Sequence, residues 1–238
     1  MSFKKTYKPY GRSAILIAWE AKIDAAILKD MTQFKQGVLQ HISDKIIEVI
    51  IGYHSLVITY KKDISSLVDE IQALESIYKS SLNLKKVQNF IWEVPVCYDA
   101  VFGIDLQVIS ERNKVEISDI IKFHSQQIYT VYFIGFLPGF LYLGGLNKQL
   151  YMPRKKTPRL KVASGSVAIG GQQTGVYPSD SAGGWNIIGK TPVSFFDVHK
   201  ENPCFAKAGD RIQFLPISKE TFYHYEQKGC VLKKNLLR

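Results

Sequence analysis

A glycine-rich stretch between residues 132 and 191 limits the possible folds of this chain more than any other segment. It holds a majority of the 17 glycines, placed between aromatic and β-branched residues. This composition predicts short strands joined by tight turns, with little room for a helix. Because glycine has no side chain, such a density indicates places where backbone approaches other backbone or a ligand closely.

Polar and aromatic side chains are interleaved with these glycines, and together they could hold a small polar or anionic molecule. Arg154 and Arg159 offer the bidentate geometry that suits a carboxylate or a phosphate. Gln173 or Asn186 could fix the orientation of that anion. The same side chains could instead satisfy turns and strand ends. The predicted substrate-binding residues are Arg154, Gln173, Thr174, Tyr177, Trp185 and Asn186.

His124 lies near the end of a predicted helix, just before the glycine-rich stretch. A histidine there can be a neutral packed residue, or it can be charged by the negative end of the helix. It can also act as an acid or a base, because its ordinary pKa lies close to neutrality. His124 and Arg159 are therefore the candidates for a direct catalytic role.

Composition limits the classes of protein to be considered. The chain has 238 residues, enough for one large domain or two modest ones. No apolar run approaches the length of a membrane span, and the basic N-terminus does not resemble a secretion signal. The sequence therefore predicts a cytoplasmic protein with no membrane partner.

Cysteine spacing and charge exclude two further classes. The three cysteines, Cys97, Cys204 and Cys230, are widely separated and show no metal-binding spacing, so no metal site is expected. The net charge of +10 is spread along the chain, without a recognition helix or a stacking platform. We therefore expect no nucleic-acid partner.

The N-terminal part has the pattern of a ferredoxin-like domain. The predicted order is strand 13–19, a helix capped by Asp24, a hairpin of strands 45–51 and 56–60, a helix from Asp63, and strand 87–96. This order predicts two helices on one face of an antiparallel sheet. The expected domain covers residues 1–92.

The texture changes after Pro95. Two short helices are predicted, at residues 103–113 and at 118–127 with Ser118 as its cap. Many short strands follow, among them 129–134, 185–188, 193–197 and 211–215. Closely spaced strands with few helices predict a small closed β-barrel over residues 93–238. The fold class is thus α+β, a ferredoxin-like α/β sandwich followed by a β-barrel.

Residues 184–191, GWNIIGKT, have the spelling of a phosphate-binding P-loop. That loop needs a flexible backbone around the phosphates and a helix that starts at its lysine. Here the central residues are bulky strand formers, and Thr191 is followed by Pro192 and another apolar strand pattern. The sequence therefore indicates a chance match, and no nucleotide site is expected in this chain.

Several long motifs resemble a known family. They are VPVCYD from Val94, FGIDL from Phe102, His124, YTVYFIGFLPGFLYLGGL, MPRKKTPRLKVASGSVAIGGQQTGVYP, GGWNIIGKTP and AGDRIQF. In this order they are similar to the B subunit of bacterial 5-oxoprolinase, also called the KipI type or allophanate hydrolase subunit 1 family. The resemblance covers nearly the whole chain.

The resemblance implies a ferredoxin-like domain followed by a cyclophilin-like β-barrel, as part of a carboxyltransferase-like unit. It also implies partners, a C subunit and an A subunit. The assembly is expected to use ATP and Mg²⁺ to open the lactam of 5-oxoproline, a small acidic substrate, to L-glutamate. We expect this chain to hold no cofactor and to be inactive alone. Two alternatives remain open, inhibition of a sporulation histidine kinase and an accessory role with allophanate.

Two positions depart from the family pattern. Ala182 stands where the family commonly has proline before its GGW, and Lys190 stands where it often has arginine. The second difference creates the P-loop spelling. The first affects a turn beside the proposed site, so it bears on the detailed geometry of substrate binding.

Overall fold

A computed structural model describes residues 3–84 and 88–237 of the chain. The contacts divide the chain into two compact units, Met1–Gln88 and Asn89–Arg238. The predicted domain boundary, between residues 92 and 93, falls inside the strand Phe90–Val96. This strand pairs with another strand of the second unit, Arg211–Pro216.

The first unit contains a four-stranded antiparallel sheet and two helices. Its strands are β1 (Thr6–Pro9), β2 (Ala14–Ala18), β3 (Ile46–Ile51) and β4 (Ser55–Tyr60), in the order β1-β2-β4-β3. Its helices are α1 (Ala25–Ile42) and α2 (Leu67–Ser81).

Side-chain caps fix where the two helices begin. The Asp24 carboxylate accepts a hydrogen bond from the Ala26 N–H at 2.7 Å, so the predicted cap of α1 is confirmed. Helix α2 starts later than predicted, because Ser66 caps it by accepting from the Asp69 N–H. Asp63, the predicted start, instead pairs with Arg12 at 2.8 Å.

The predicted ferredoxin-like strand set needs a correction. Its fourth strand was expected at residues 87–96; Val87 lies outside the described residues, and Phe90–Val96, here β5, belongs to the sheet of the second unit. The place beside β2 is taken by β1, a strand that was not predicted. The sequence pattern indicates that residues are extended, but it does not specify which strand they pair with.

The second unit is built on an eight-stranded mixed sheet. Two further strands, β8 (Arg159–Val162) and β11 (Ser181–Gly183), pair with each other beside it. The strands of the large sheet are β5, β6 (Ile128–Ile134), β7 (Leu141–Gly144), β9 (Ser166–Gly170), β10 (Gln173–Val176), β12 (Asn186–Lys190), β13 (Arg211–Pro216) and β14 (Lys233–Leu236), in the order β12-β9-β10-β7-β6-β13-β5-β14.

The predicted closed barrel is also corrected. Across the described part of the second unit the large sheet is open, with β12 and β14 at its edges. An isolated antiparallel bridge joins Cys97, just after β5, to Lys190 at the end of β12, with N–H to carbonyl distances of 2.8 and 2.9 Å. Because β14 pairs with β5 over residues 90–93, that part of the β5 edge is occupied and cannot form a ladder with β12.

Three α-helices and a short 3₁₀ helix, Lys148–Leu150, accompany this sheet in the described part of the second unit. The helices α3 (Leu106–Asn113) and α4 (Ile117–Ser125) confirm the two predicted ones, although Glu116 precedes α4 without a side-chain cap and Ser118 lies inside the helix. Helix α5 (Lys219–Lys228) and strand β14 were not predicted. Residues 193–197, predicted as a strand, form a loop in which the Ser194 hydroxyl donates to the Phe196 carbonyl.

The core of the second unit lies between the sheet and helices α3 and α4. Val94, Ile120, Tyr129, Ile212 and Phe214 are fully buried there. Burial of this apolar surface is the main stabilising contribution in a domain of this size. None of the described helices combines the length and apolar character that crossing a lipid bilayer requires.

Candidate functional site

A pocket of about 360 Å³ opens on the second unit, within the glycine-rich stretch. Three kinds of group form its wall: aromatic rings, cationic side chains and the backbone of small residues. They are Phe136, Phe140, Tyr142, Arg154, Lys155, Pro158, Tyr177, Ala182, Gly183, Gly184 and Trp185. Concave, largely apolar sites with a few polar groups are the usual form of small-molecule sites.

Phe140 is the centre of the aromatic part of this pocket. Its ring centroid lies 5.0 Å from that of Tyr142, 5.4 Å from Trp185 and 5.5 Å from Tyr177. The last two contacts are edge-to-face, a favourable arrangement for aromatic rings. Phe140, Tyr177 and Trp185 are buried, so this cluster is a rigid floor.

Glycines make room for these rings. A Cβ atom on Gly170 would lie 2.5 Å from the Trp185 indole, and one on Gly183 would lie 2.4 Å from the Tyr177 hydroxyl. Neither position has the positive φ that by itself favours glycine. The glycine density seen in the sequence is thus explained, at these two positions, by backbone lying directly against aromatic side chains.

Replacing Gly170 with alanine is expected to lower the free energy of unfolding by about 1 to 3 kcal/mol, because the new methyl group must displace the Trp185 indole. Urea denaturation followed by tryptophan fluorescence measures the loss. Gly135→Ala is the control, because its Cβ would find the nearest heavy atom at 3.6 Å, an ordinary contact. Equal stability of the two variants would contradict the packing described here.

Phe136 stands at the mouth of the pocket in an unusual backbone conformation. Its φ is 68°, in the left-handed region, and its side chain is 61% exposed. The ring meets Phe140 at 5.5 Å and Tyr177 at 6.4 Å, edge-to-face in both cases. Left-handed backbone at a large non-glycine residue costs energy and is concentrated at functional sites.

Two cations, Arg154 and Lys155, line the same pocket. The guanidinium carbon of Arg154 lies 5.6 Å from the centre of the Trp185 ring, within cation–π range. Within the described part of the chain, no carboxylate lies at ion-pair distance from Arg154. The pocket therefore presents an exposed guanidinium to an anionic guest.

Asp105 holds the second cation in place. Its carboxylate is nearly completely buried and contacts Lys155 Nζ at 2.9 Å, Arg159 Nη2 at 2.7 Å and the Ile187 N–H at 2.7 Å. Burial by itself would raise the pKa of the Asp105 carboxyl. The hydrogen bonds from Arg159, Lys155 and Ile187 outweigh that effect, so the pKa is lowered and the group is ionised.

Arg159, predicted as catalytic, does not line the pocket. Its Nη2 is bound to Asp105, while its Nη1 is buried without a hydrogen-bond partner in the described structure. Arg159 follows Pro158, which does line the pocket. The two arginines singled out in the sequence thus have different surroundings, since Arg154 faces the pocket and Arg159 anchors the segment behind it.

His124 and Thr174 lie in the core, and neither lines the pocket. His124 is fully buried, with Nδ1 2.7 Å from the Tyr98 hydroxyl and Nε2 2.8 Å from the Thr174 hydroxyl. Its ring stacks on Phe214. Burial lowers the pKa of His124 to about 3, so the imidazole is neutral at pH 7. Of the roles that the sequence left open for His124, this environment fits a neutral imidazole packed in the core.

The remaining predicted binding residues fall into two groups. Tyr177 and Trp185 line the pocket, and burial raises the pKa of the Tyr177 hydroxyl. Asn186 is buried, and its amide donates to the Pro153 and Ile169 carbonyls, so its hydrogen bonds stabilise the fold. Gln173 begins β10 opposite Gly170 and is not part of the pocket wall.

The P-loop spelling is a chance match in this structure. Residues 186–190 form strand β12, and the structure continues from Thr191 as a loop, with no helix beginning at Lys190. The Lys190 ammonium lies near Phe102 and Phe222 and 3.8 Å from a Glu226 oxygen. The backbone and the lysine that a P-loop uses for phosphate are therefore both engaged in the fold.

Four residues of the site or its support, Asp105, Phe136, Phe140 and Lys155, were not singled out from the sequence. The aromatic residues carried a usable signal, because they flank a Leu-Pro-Gly turn inside the glycine-rich stretch. Asp105 lies in the FGIDL motif, but nothing local indicated its ion pairs, since it lies about fifty residues from the cations it binds. Among residues 3–84 and 88–237, no group of three or more His, Cys, Asp or Glu side chains could hold a metal ion.

The sequence and the fold correspond to a known class of protein. The sequence matches the family described as carboxyltransferase domain, subdomain C and D, over residues 5–206, and the chain belongs to that family. Within it, the chain is similar to the 5-oxoprolinase B subunit of Escherichia coli O157:H7, with 35% identity over 206 residues, 87% of this chain and 93% of that protein.

Two further similarities support the assignment. The 5-oxoprolinase B subunit of Bacillus subtilis (strain 168) is 41% identical over 144 residues, which is 60% of each chain. The solved structure of Kluyveromyces lactis urea carboxylase has a TM-score of 0.80 and 19% identity, and the match covers 99% of this chain and 24% of that one. The last similarity concerns the fold alone.

Proposed function

We propose that this chain is the B subunit of an ATP-dependent 5-oxoprolinase, which hydrolyses 5-oxo-L-proline to L-glutamate together with A and C subunits. One structural observation carries the proposal. In a pocket of about 360 Å³, the Arg154 guanidinium lies beside a floor of aromatic rings and has no carboxylate partner among the described residues. The relatives named as 5-oxoprolinase B subunits support the assignment of the substrate.

The chemistry of 5-oxoproline suits this pocket. The molecule is a flat five-membered lactam that carries one carboxylate. A guanidinium such as that of Arg154 binds a carboxylate through two parallel hydrogen bonds. The lactam ring then lies against the rings of Phe140 and Trp185, and backbone at Gly183 and Gly184 offers polar groups to the lactam without side chains in the way.

The division of labour follows from what the pocket contains. Its wall, as described, offers cations and rings but no carboxylate and no histidine, so a carboxylate or imidazole acting as general acid or base would come from elsewhere in the complex. The apparent P-loop is a buried strand, so ATP and Mg²⁺ are assigned to the assembled complex. In this proposal the present chain binds and orients the acidic substrate, while the C and A subunits complete the reaction.

Exchanging Arg154 for alanine tests the proposal in a complex reconstituted from the three subunits. We expect the KM for 5-oxoproline to rise by about tenfold to a hundredfold, because a hydrogen bond to a charged group contributes about 1.5 to 3 kcal/mol. Glutamate formation as a function of 5-oxoproline concentration provides the measurement. Since the Arg154 side chain is exposed, the variant is expected to fold normally.

Arg112→Ala is the matched control, because Arg112 is an exposed arginine on α3 that does not line the pocket. Its KM is expected to equal that of the wild type. An unchanged KM in Arg154→Ala would remove Arg154 from the site. Absence of glutamate formation by the wild-type complex, with turnover of allophanate instead, would replace the proposed substrate.

A further inference from the structure

A single buried carboxylate, that of Asp105, connects three parts of the second unit. Oxygen Oδ1 accepts from Lys155 Nζ and Arg159 Nη2, and oxygen Oδ2 accepts from the Ile187 N–H. Lys155 lines the pocket, and Ile187 lies two residues after Trp185, which forms part of the pocket floor. The carboxylate therefore joins the cationic wall to the aromatic floor.

Asp105 itself is held firmly. Its N–H donates to the Ile187 carbonyl at 2.9 Å, so Asp105 and Ile187 are joined by two hydrogen bonds in opposite directions. Asp105 also precedes α3, and two residues earlier a Cβ on Gly103 would lie 2.7 Å from the Ile188 carbonyl oxygen. This close backbone contact fixes the start of α3 against β12.

The carboxylate cannot touch a guest in the pocket. Asp105 is only 2% exposed and is not part of the pocket wall, and both of its oxygens are engaged by groups of the protein. Its effect on a ligand must therefore pass through the groups it binds. A side chain with this placement orients other residues and takes no direct part in chemistry.

The charge of Asp105 also matters to the pocket. Three cations, Arg154, Lys155 and Arg159, lie in or just behind the wall, and Asp105 contacts two of them. Removal of the carboxylate would leave both cations without their ion-pair partner, so neither side chain would be held in place by charge. The Lys155 ammonium would then lose its fixed position, although the Lys155 N–H would still donate to the Gly184 carbonyl at 2.7 Å.

We propose that Asp105 is the positioning residue of this pocket: it holds the segment 155–159 against β12 and so sets the distance between the cationic wall and Trp185. The effect on turnover rests on the proposed function. The effect on Trp185 does not, because it concerns the geometry of this chain alone.

The first test uses the isolated chain with ¹⁵N-labelled tryptophan, in which three indole N–H resonances are expected. In Asp105→Asn we expect the Trp185 resonance to shift, while the resonance of Trp19, in the first unit, stays in place. Assignment follows from Trp185→Phe. An unchanged Trp185 resonance in the folded Asp105→Asn chain would overturn the proposal, whatever the substrate is.

The second test uses the reconstituted complex and 5-oxoproline. We expect Asp105→Asn to raise KM about tenfold with kcat within about twofold, since it displaces binding groups without removing a reacting one. Arg159→Gln removes one cation of the same ion pair. Because Arg159 is partly exposed whereas Asp105 is buried, this variant is expected to raise KM less. The double variant should match Asp105→Asn alone, because both changes act through one contact.

If the increases in KM of the two single variants multiplied in the double variant, the two residues would act independently, and the shared mechanism would be overturned. Should Asp105→Asn fail to fold, Arg159→Gln alone decides: an unchanged KM together with an unchanged Trp185 resonance would overturn the proposal. A wild-type complex that forms no glutamate from 5-oxoproline would refute the proposed substrate, and the resonance test would still decide the role of Asp105.

Discussion

The free energy of unfolding is expected to fall by up to about 1.4 kcal/mol for each pH unit below 6.5, through His124 alone. Burial lowers the pKa of the folded imidazole to about 3, whereas the unfolded chain takes up the proton near pH 6.5. The unfolded state therefore binds more protons between these two values. The contribution of His124 is fully present above pH 6.5 and is lost as the pH falls toward 3.

Urea denaturation at a series of pH values measures this dependence, and His124→Gln identifies its source. The glutamine variant is expected to be less stable at pH 7 but to show a flatter profile between pH 6.5 and 4. His224→Gln is the control, because His224 is exposed on α5, and its profile should follow the wild type. Identical slopes in wild type and His124→Gln would contradict a neutral, buried imidazole.

Substituting alanine for Phe140 is expected to lower the free energy of unfolding by about 3 to 5 kcal/mol. The ring is 2% exposed and lies between Tyr142, Tyr177 and Trp185, so its removal leaves a cavity that rigid neighbours cannot fill. The pocket floor would lose its central ring. Urea denaturation at pH 7, with an unchanged slope against urea concentration, measures the loss.

Phe136→Ala is the matched control for this change. The two phenylalanines belong to the same turn, but Phe136 is 61% exposed, so its truncation is expected to cost less than about 1 kcal/mol. In the reconstituted complex, both variants should raise the KM for 5-oxoproline, because both rings line the pocket. A Phe140→Ala variant as stable as Phe136→Ala would contradict the packing of the aromatic floor.

Local signals in the sequence predicted most helices and strands of the fold. Asp24 preceding an apolar helical pattern predicted the start of α1, and the alternation around Ile212 and Phe214 predicted β13. The same patterns could not predict partners. Strand β5 was assigned to the wrong sheet, and β12 was assigned to a closed barrel, because strand pairing depends on long-range contacts that periodicity does not encode.

The candidate site shows the same limit: residue types can be read from the sequence, whereas burial cannot. The glycine-rich stretch, Arg154, Tyr177 and Trp185 were identified from residue type and spacing, and the structure brings them to one pocket. His124 and Thr174 were equally plausible by type, but they are buried together in the core. A side chain's type sets what it can bind, whereas its burial decides whether a ligand can reach it.

Residue order alone is enough to recognise the family motifs and the glycine-rich stretch, in which backbone lies close to other groups. Which cations pair with a carboxylate and which face the pocket depends on the three-dimensional fold. Asp105 lies some fifty residues from Lys155 and Arg159 along the chain but less than 3 Å from both in space, whereas Arg154, next to Lys155 in sequence, has no carboxylate at ion-pair distance among the described residues. Charge pairing in a buried environment depends on distance in three dimensions, so no pattern along the chain could have indicated it.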